Sequence, residues 1–363
     1  AHHLLAAGKS VALVDAFGPA NSRASSGGES RVIRMGYGGD EIYTRWSLRS
    51  LGLWQEFFRR ADRPLFHRVG VLWIARGEDR YMSETLLTLG KLKVPFERLS
   101  GTDLKKRYGQ IAFGPDDWGL LEPESGALMA RQAVQAVVED AVRRGVAYQT
   151  DTVAGPTGRN RLESVRTIGG EFIHAGSFVF ACGPWLPKLF PDLLEGRIHP
   201  TRQEVFFFGA PHGDRRFAPP SFPAWIDFGH EIYGIPDLEN RGFKIALDRH
   251  GPAFDPDTGE RTPTAENLQE VREFLGWRFP ALKHAPVLEA RVCQYENTSN
   301  GDFLIDRHPD FENVWLVGGG SGHGFKHGPA LGEYVAARVV EGGAVEPRFA
   351  LASKGKAEER AVY

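Results

Sequence analysis

The stretch at residues 314–333 constrains the fold more than any other part of the chain. Its apolar start, residues 314–317, predicts a short buried strand. Apolar residues return between 330 and 340 at spacings of about 3.6 residues, which predicts a helix. Between these elements lie His323, Lys326 and five glycines, namely Gly318, Gly319, Gly320, Gly322 and Gly324. Strand, glycine turn and helix together aim free backbone N–H groups at a ligand, so we expect a flat or negatively charged ligand here.

The first fifteen residues predict the second half of a β–α–β dinucleotide-binding unit. Residues 1–7 are typical of the last turns of a helix, Gly8 ends that helix, and residues 10–14 form a strand that leads into Asp15. In such units the acidic residue binds a ribose hydroxyl, although Asp15 could equally be an ordinary strand-end turn residue. The glycine-rich motif of the unit would precede residue 1, so we expect the chain to be truncated or incompletely recorded there.

The remaining periodicity predicts an α/β fold with two interleaved domains. A length of 363 residues exceeds the size at which one hydrophobic core usually stops growing. Residues 1–64, 124–196 and 300–363 are assigned to a Rossmann-like domain with a parallel sheet. Residues 65–123 and 197–299 are assigned to an inserted antiparallel domain, because short strands separated by Pro and Gly turns dominate its second part. We expect the ligand between the two domains.

The composition argues against several function classes. A net charge of −2 offers no basic field for nucleic acid or for an anionic membrane. No apolar run approaches the ~20 residues that a membrane-spanning helix needs. Two cysteines do not make a disulfide framework or a zinc site, and no paired His/Glu cluster has the spacing of metal ligands. We therefore expect a metal-free protein in a reducing cytoplasm.

Several motifs together resemble one known family. They are Ser-Arg-Val-Ile-Arg at 30–34, Cys-Gln-Tyr at 293–295, Phe-Leu-Ile-Asp-Arg-His-Pro at 303–309, Gly-Gly-Ser-Gly-His-Gly-Phe-Lys at 319–326 and, more weakly, Gly-Pro-Trp at 183–185. Over nearly its whole length the chain resembles the FAD-dependent amine oxidases of the monomeric sarcosine oxidase type. These belong to the D-amino-acid-oxidase-like flavoproteins, which include N-methyl-amino-acid and fructosyl-amino-acid oxidases.

The resemblance implies a monomeric enzyme that binds FAD. It implies oxidation of the C–N bond of a secondary or N-substituted amino acid to an imine, with O2 reduced to H2O2. The partners implied are therefore a small amino-acid-type substrate and dioxygen. An alternative in a different class is an FAD-dependent dehydrogenase that passes electrons to a partner.

The resemblance also implies how the cofactor is held. Cys293 matches the cysteine that carries FAD through a thioether to the 8-methyl group of the flavin ring, and the alternative is a buried free thiol. Arg31 matches a residue near the flavin, and its alternative role is an ion pair with Glu29 or another acid. The further residues predicted to bind FAD are Asp15, Val153, Gly183, Trp185, Gly320, Gly322, His323, Gly324, Phe325 and Lys326.

Five polar side chains match the substrate and oxygen sites of the family. Arg34 and Lys326 match the pair that grips the substrate carboxylate, for which a guanidinium and an ammonium are well suited. Lys244 matches the lysine that contacts flavin N5 through water and activates oxygen, and the alternative is an outward-facing strand lysine. Tyr233 and Tyr295 match active-site tyrosines, although core tyrosines with satisfied hydroxyls are equally common.

The chain departs from the sarcosine-oxidising type at two positions. Asp248 stands where that type has a histidine, four residues after the active-site lysine, and Gly27 replaces a histidine in the flavin loop. His250 could substitute for the first histidine. Fructosyl-amino-acid oxidases carry an acid at the place of Asp248. We therefore count Asp248 among the catalytic residues and keep a deglycating oxidase as the second function.

If Cys293 carries the flavin covalently, acid precipitation will leave yellow flavin on the polypeptide, because a thioether survives unfolding. The Cys293→Ser variant is expected to release its flavin into the supernatant. Absorbance of the redissolved pellet and of the supernatant at the flavin bands measures both outcomes. Cys182→Ser is the matched control and should keep its flavin, whereas complete release from the wild type would contradict the assignment.

Overall fold

The computed structural model describes residues 1–356, so residues 357–363 of the predicted range 300–363 lie outside the described residues. This part of the chain contains nine α-helices: α1 (His2–Ala6), α2 (Glu41–Arg60), α3 (Arg80–Lys91), α4 (Gly101–Arg107), α5 (Ala130–Arg143), α6 (Leu186–Leu189), α7 (Pro191–Leu194), α8 (Ala265–Arg278) and α9 (Gly324–Glu341).

Residues 1–356 also contain eighteen strands. They are β1 (Ala12–Asp15), β2 (Arg31–Ile33), β3 (Phe66–His67), β4 (Val71–Arg76), β5 (Glu97–Leu99), β6 (Asp117–Glu122), β7 (Gly126–Leu128), β8 (Ala147–Thr150), β9 (Ser164–Arg166), β10 (Phe172–His174), β11 (Phe178–Phe180), β12 (Ile198–Phe208), β13 (Ala224–Asp227), β14 (Ile232–Ile235), β15 (Phe243–Leu247), β16 (Val287–Thr298), β17 (Leu304–Arg307) and β18 (Val314–Gly318).

A sheet of eight strands is the largest element of the fold. Its strand order is β16-β12-β15-β14-β13-β4-β6-β5. Strands β13 and β4 run parallel, and the other neighbouring pairs run antiparallel. The two longest strands, β12 and β16, pair along their length and place Gln203 opposite Cys293. This sheet carries four of the predicted site residues, Tyr233 on β14, Lys244 on β15, and Cys293 and Tyr295 on β16.

The parallel strands form two short sheets. In one, β1 runs parallel to β8, and in the other β11 runs parallel to β18, whose second neighbour β17 is antiparallel. Helices α2 and α9 pack against each other, and Tyr43, Phe303, Val335 and Phe349 belong to the core cluster beside them. Parallel and antiparallel sheets together confirm the predicted α/β class. The division into two domains at the predicted boundaries stays a prediction.

Two predicted site residues lie in different local structure from the one that the sequence suggested. Helix α9 begins at Gly324, so Lys326 lies in the first helical turn rather than in the glycine turn. Residues 324–329 include two glycines and a proline, which are poor helix formers, so the apolar spacing marks the helix only from Ala330. The polar sequence at 21–38 predicts a long loop around Arg31, but Arg31 lies in strand β2, because β2 pairs with the distant strand β7.

A buried charge network joins the end of α8 to two strands of the large sheet. Arg278 is fully buried, and its guanidinium donates to Asp117 of β6 at 2.7 Å and to Asp227 of β13 at 2.5 Å. It also donates to the carbonyl oxygen of Ala112 at 2.8 Å, and Asp227 lies 2.7 Å from Nδ1 of His230. Arg76 also donates to Asp117 at 3.3 Å, so the Arg278 guanidinium is the counter-charge that the two buried carboxylates share.

Replacing Arg278 by methionine is expected to lower the free energy of unfolding by about 3–5 kcal/mol, because two buried carboxylates lose the counter-charge that they share. Urea denaturation followed by tryptophan fluorescence measures the loss. The control is Arg80→Met on α3, where the pair with Glu84 is exposed and its removal should leave the unfolding curve nearly unchanged. Superimposable curves for Arg278→Met and the wild type would refute the prediction.

Candidate active site

The glycine turn leads from strand β18 into helix α9 and packs against strand β16. Gly319 and Gly322 have φ angles of +68° and +78°, a region that favours glycine. A Cβ atom on Gly322 would lie 2.8 Å from the ring of Tyr295, so the bare backbone lets this ring pack on the turn. The N–H of Ser321 donates to the Glu296 carbonyl oxygen at 3.1 Å, which also holds the turn against strand β16. The turn is thus fixed against the sheet.

Two neighbouring cavities lie where the glycine turn, strand β2 and the large sheet meet. The predicted residues that line the first cavity are Arg31, Arg34, Tyr233, Asp248, Tyr295, Gly322, His323 and Lys326. The predicted residues that line the second cavity are Arg31, Lys244 and Cys293. Since Arg31 lines both, the cavities adjoin each other at this side chain. The fold therefore gathers predicted substrate and oxygen residues from distant parts of the sequence.

Arg34 enters the first cavity from the segment that follows β2. Its side chain is buried, and its guanidinium carbon lies 4.3 Å from the ring centroid of Tyr37 and 4.7 Å from that of Trp73. Burial acts to lower the pKa of Arg34, but Tyr37, Tyr81 and Glu122 together raise it above its ordinary value. Arg34 is therefore a permanent cation, stabilised by aromatic faces and aimed at the cavity.

Glu122, at the end of β6, holds the segment that carries Arg34. Its buried carboxylate accepts four hydrogen bonds, from the backbone N–H groups of Met35 at 2.6 Å and Gly36 at 3.0 Å, from the Trp73 indole at 2.8 Å and from the Ser125 hydroxyl at 2.6 Å. Glu122 was not predicted from the sequence, because an acid at the end of an apolar strand resembles a surface turn residue.

Lys326 reaches the same cavity from the first turn of α9. Its Nζ donates to the Tyr37 hydroxyl at 2.9 Å and to the His323 carbonyl oxygen at 3.3 Å. The Tyr37 hydroxyl also lies 2.8 Å from Nε2 of His327. Burial, and then the nearby charge of Arg34, lower the pKa of Lys326 well below its ordinary value. Tyr37 and His327 were not predicted from the sequence, although each lies within three residues of a predicted cation.

Polar side chains from the sheet form another wall of the first cavity. The Tyr295 hydroxyl donates to Oδ1 of Asp248 at 3.3 Å, and the His250 ring lies 6.4 Å from the Tyr295 ring. Burial raises the pKa of Asp248, although the charges of Arg34 and Lys326 oppose the rise. Burial also raises the pKa of Tyr295 well above its ordinary value and that of Tyr233 to about 12. Both tyrosines therefore stay protonated near neutral pH.

Lys244 lies at the second cavity and is 2% exposed, which excludes the outward-facing alternative. Its Nζ donates to the Ser30 carbonyl oxygen at 2.8 Å. Burial, and then Arg31, lower the pKa of Lys244 well below its ordinary value. Arg31 itself donates to the Ser25 carbonyl oxygen at 2.6 Å and lies 3.7 Å from Sγ of Cys293. Lys244, Arg31 and the thiol of Cys293 thus line one cavity.

The contacts of Glu29 and of the two cysteines bear on the alternative roles predicted for Arg31 and Cys293. Glu29, the acid proposed as a partner for Arg31, pairs with Arg131 at 2.7 Å and with Arg291 at 3.3 Å. Cys182 and Cys293 are both free thiols. Burial raises the pKa of Cys182 to about 12, which makes its thiol unreactive near neutral pH. Cys293 is the free thiol that faces a cavity.

The other residues predicted to bind FAD lie outside the two cavities. Asp15 accepts hydrogen bonds from two backbone N–H groups of its own turn, each at 2.9 Å, as a structural strand-end residue does. Trp185 donates to Asp257 at 2.7 Å, and Phe325 stacks on Trp54 at a centroid distance of 5.8 Å. Also outside the cavities lie Val153, Gly183, Gly320 and Gly324. Their role in FAD binding stays a prediction.

The chain is similar to known proteins in both sequence and fold. Residues 1–338 match the family described as DAO, FAD dependent oxidoreductase. The chain is 31% identical to the monomeric sarcosine oxidase of Streptomyces avermitilis over 355 residues, which covers 96% of this chain and 91% of that protein. It is 30% identical to the N-methyl-L-tryptophan oxidase of Salmonella heidelberg over 341 residues, which covers 91% and 88% respectively.

The fold is similar to that of the L-proline dehydrogenase from P. horikoshii, with a TM-score of 0.83 at 21% identity, over 96% of this chain and 92% of that one. The protein is thus an FAD-dependent oxidoreductase. It belongs to the DAO family, which confirms the resemblance carried by the motifs.

The residues present fit this cofactor. The glycine backbones at 183 and 318–320 leave no Cβ atoms along one side of the site, and Oε2 of Glu296 is buried without a hydrogen-bond partner among residues 1–356. Across these same residues, no group of three or more His, Cys, Asp or Glu side chains is placed to hold a metal ion. None of the helices described combines the length and apolar character needed to cross a membrane.

Replacing Lys326 by methionine is expected to stabilise the folded protein near pH 7. The folded state lowers the pKa of Lys326 below 10.5, so the unfolded chain holds a proton that the folded chain does not. Below pH 10.5 this difference costs the folded state up to about 1.4 kcal/mol for each pH unit, until the pH reaches the depressed pKa. The stability advantage of the variant must therefore grow as the pH falls from 10.5 towards 7.

Urea denaturation of both proteins at a series of pH values measures this advantage. Lys105→Met on α4 is the control, because Lys105 is exposed and should show no pH-dependent difference. A constant difference between Lys326→Met and the wild type across the pH range would contradict the prediction.

Proposed function

We propose that this enzyme oxidises the C–N bond of a secondary or N-substituted amino acid to an imine and reduces O2 to H2O2. The observation that carries the proposal is the convergence of Arg34 and Lys326 on one cavity, beside a second cavity with Lys244 and Cys293. A carboxylate is the anion that would satisfy both cations. The similar sarcosine and N-methyl-L-tryptophan oxidases bear names of N-methyl amino acids, which supports this substrate class.

The two cations divide the work of binding the carboxylate. Arg34 offers N–H donors in a fixed plane, whereas Lys326 supplies a compact charge. Because burial and Arg34 depress the pKa of Lys326, an arriving carboxylate favours its protonation. The Tyr37 hydroxyl, 2.9 Å from Nζ, holds the ammonium in place. Binding therefore couples the uptake of a proton to the orientation of the substrate.

FAD, when bound, accepts two electrons from the substrate and passes them to O2. A substrate held at its carboxylate places its amine among the remaining polar groups of the first cavity, Tyr233, Tyr295 and Asp248. Only a neutral amine has the free electron pair that oxidation requires. The raised pKa of Asp248 suits it to take the proton of an incoming ammonium, and the Tyr295 hydroxyl orients its carboxylate.

We assign the activation of oxygen to Lys244. A fixed cation lowers the barrier to forming negatively charged oxygen species. The bond from Nζ to the Ser30 carbonyl oxygen, 2.8 Å long, fixes the lysine in the second cavity. Burial and Arg31 lower the pKa of Lys244, and negative charge that develops beside the lysine would favour its protonated, cationic form.

We also propose that Cys293 holds FAD through a thioether. The free thiol lines the same cavity as Lys244, so a flavin ring attached to the sulfur would lie beside the lysine. We further propose a monomer that works in the cytoplasm, for which two unpaired cysteines and a net charge of −2 are suitable. Light scattering of the purified protein tests the oligomeric state.

A deglycating oxidase is the second candidate, because Asp248 brings an acid into the substrate cavity. A carboxylate can accept hydrogen bonds from the hydroxyls of a sugar on the substrate nitrogen. A screen for H2O2 over N-methyl, cyclic and fructosyl amino acids decides between the two. Peroxide from N-methyl or cyclic substrates supports the main proposal, and peroxide from fructosyl substrates alone supports the second. Bleaching of the flavin without peroxide would indicate a dehydrogenase.

Replacing Arg34 or Lys326 by methionine should weaken binding of any amino-acid substrate roughly tenfold to a hundredfold, since a charge-assisted hydrogen bond contributes ~1.5–3 kcal/mol. The double variant should lose less than the sum, because both cations bind one anion. KM for the amino acid and for the amine that lacks its carboxylate measures the effect. Equal losses for the two compounds would show that the cations do not bind a carboxylate.

Lys244→Met should slow the reoxidation of the flavin by oxygen far more than its anaerobic reduction by substrate. The loss of one fixed charge near the oxygen site could cost about 2.7–4 kcal/mol in barrier height, by analogy with a single oxyanion donor. Stopped-flow absorbance of the two half-reactions separates them. Arg291→Met, which removes another cation that lines the same cavity, shows whether the loss of any charge there has this effect. Unchanged reoxidation in Lys244→Met would refute the assignment.

A further inference from the structure

Glu296 has a side chain that the proposed reaction does not yet use. It follows Tyr295 on strand β16 and points between two glycine-bearing turns. A Cβ on Gly318 would lie 3.1 Å from its Oε2, and one on Gly183 would lie 3.8 Å from the same oxygen. A Cβ on Gly320 would lie 3.2 Å from Oε1. Three bare backbones therefore surround one carboxyl group.

The carboxyl group of Glu296 is only partly satisfied. The backbone N–H groups of Gly320 and Gly319 interact with it, yet its Oε2 is buried and lacks a hydrogen-bond partner among residues 1–356. Burial raises the pKa of Glu296 to about 7. A buried polar atom without a partner is costly, so a bound group that supplies the missing hydrogen bond is expected.

The position of Glu296 indicates which part of the cofactor meets it. On one side, the carboxyl lies beside Gly183 and Gly320, two residues predicted to bind FAD. On the other side, Tyr295 lines the first cavity, and Cys293 lines the second. An FAD held at Cys293 and reaching towards these glycines would bring its ribityl chain, which carries three hydroxyl groups, past Glu296.

We propose that Glu296 is a cofactor-binding residue whose free carboxyl oxygen accepts a hydrogen bond from a ribityl hydroxyl of FAD. The glycines at 183, 318 and 320 are the complement of this contact, because a side chain at any of them would fill the space beside the carboxyl. The inference rests on the proposed placement of the flavin ring beside Cys293. The competing role is structural, in which Glu296 serves only to shape the glycine turn.

The test uses Cys293→Ser as the parent protein, so that FAD binding is reversible and its Kd can be measured by quenching of flavin fluorescence. The ligands are FAD and three analogues, each lacking one ribityl hydroxyl. The parent should bind one analogue about tenfold more weakly than FAD, as expected for one lost hydrogen bond. Adding Glu296→Leu should weaken the binding of FAD about tenfold and abolish the difference in Kd between FAD and that analogue. Adding Glu296→Gln should retain the difference, since an amide oxygen also accepts.

A parent that binds all three analogues as tightly as FAD would overturn the proposal, whether or not Glu296→Leu folds. A Glu296→Leu protein that discriminates the analogues as the parent does would overturn it too, and a fall in melting temperature without a change in FAD affinity would assign the structural role. The peroxide screen is independent of these measurements. If the screen detects no H2O2 but the parent still distinguishes FAD from one analogue, the proposed reaction is wrong and the Glu296 contact is retained. Covalent flavin in Cys293→Ser would contradict the placement of the flavin ring beside Cys293.

Discussion

The proximity of two buried cations around one tyrosine is the constraint on which the rest of the site depends. Arg34 and Lys326 are both withdrawn from water, and both contact Tyr37, through the ring face and the hydroxyl respectively. Burial and the repulsion between the two cations lower the pKa of Lys326, whereas the Arg34 guanidinium keeps its proton. The Glu122 carboxylate offsets the charge of Arg34 and holds the backbone segment that carries it. The site therefore reaches its full positive charge, with Lys326 protonated, when an anion binds.

The glycine turn connects this pair of cations to the large sheet. Because Gly322 has no side chain, the ring of Tyr295 packs directly on the turn, and helix α9 starts beside strand β16. Tyr233 and Tyr295 from the sheet then line the same cavity as Arg34 and Lys326, and Lys244 lines the adjoining cavity. The missing Cβ atoms thus serve the packing between elements as much as the approach of the cofactor, and one substitution there would disturb both.

Local spacing in the sequence predicted those features that depend on neighbouring residues. The strand, turn and helix at 314–333 have periodicities that only a few conformations satisfy, and the alternation of elements predicted the α/β class. Motifs such as Cys-Gln-Tyr at 293–295 predicted the FAD-dependent family. The onset of α9 was less well predicted, because the glycines and the proline at 324–329 carry no apolar pattern.

Tertiary structure alone decided which side chains are buried and what they bond. Lys244 donates to a carbonyl oxygen 214 residues away in sequence, and the four donors to Glu122 come from three separate segments. No local pattern marks such a lysine or glutamate, because the same residue types on exposed strand ends have the same spacing. Their altered proton affinities depend on removal from water and on charges brought close by the fold, so these properties exist only once the chain is packed.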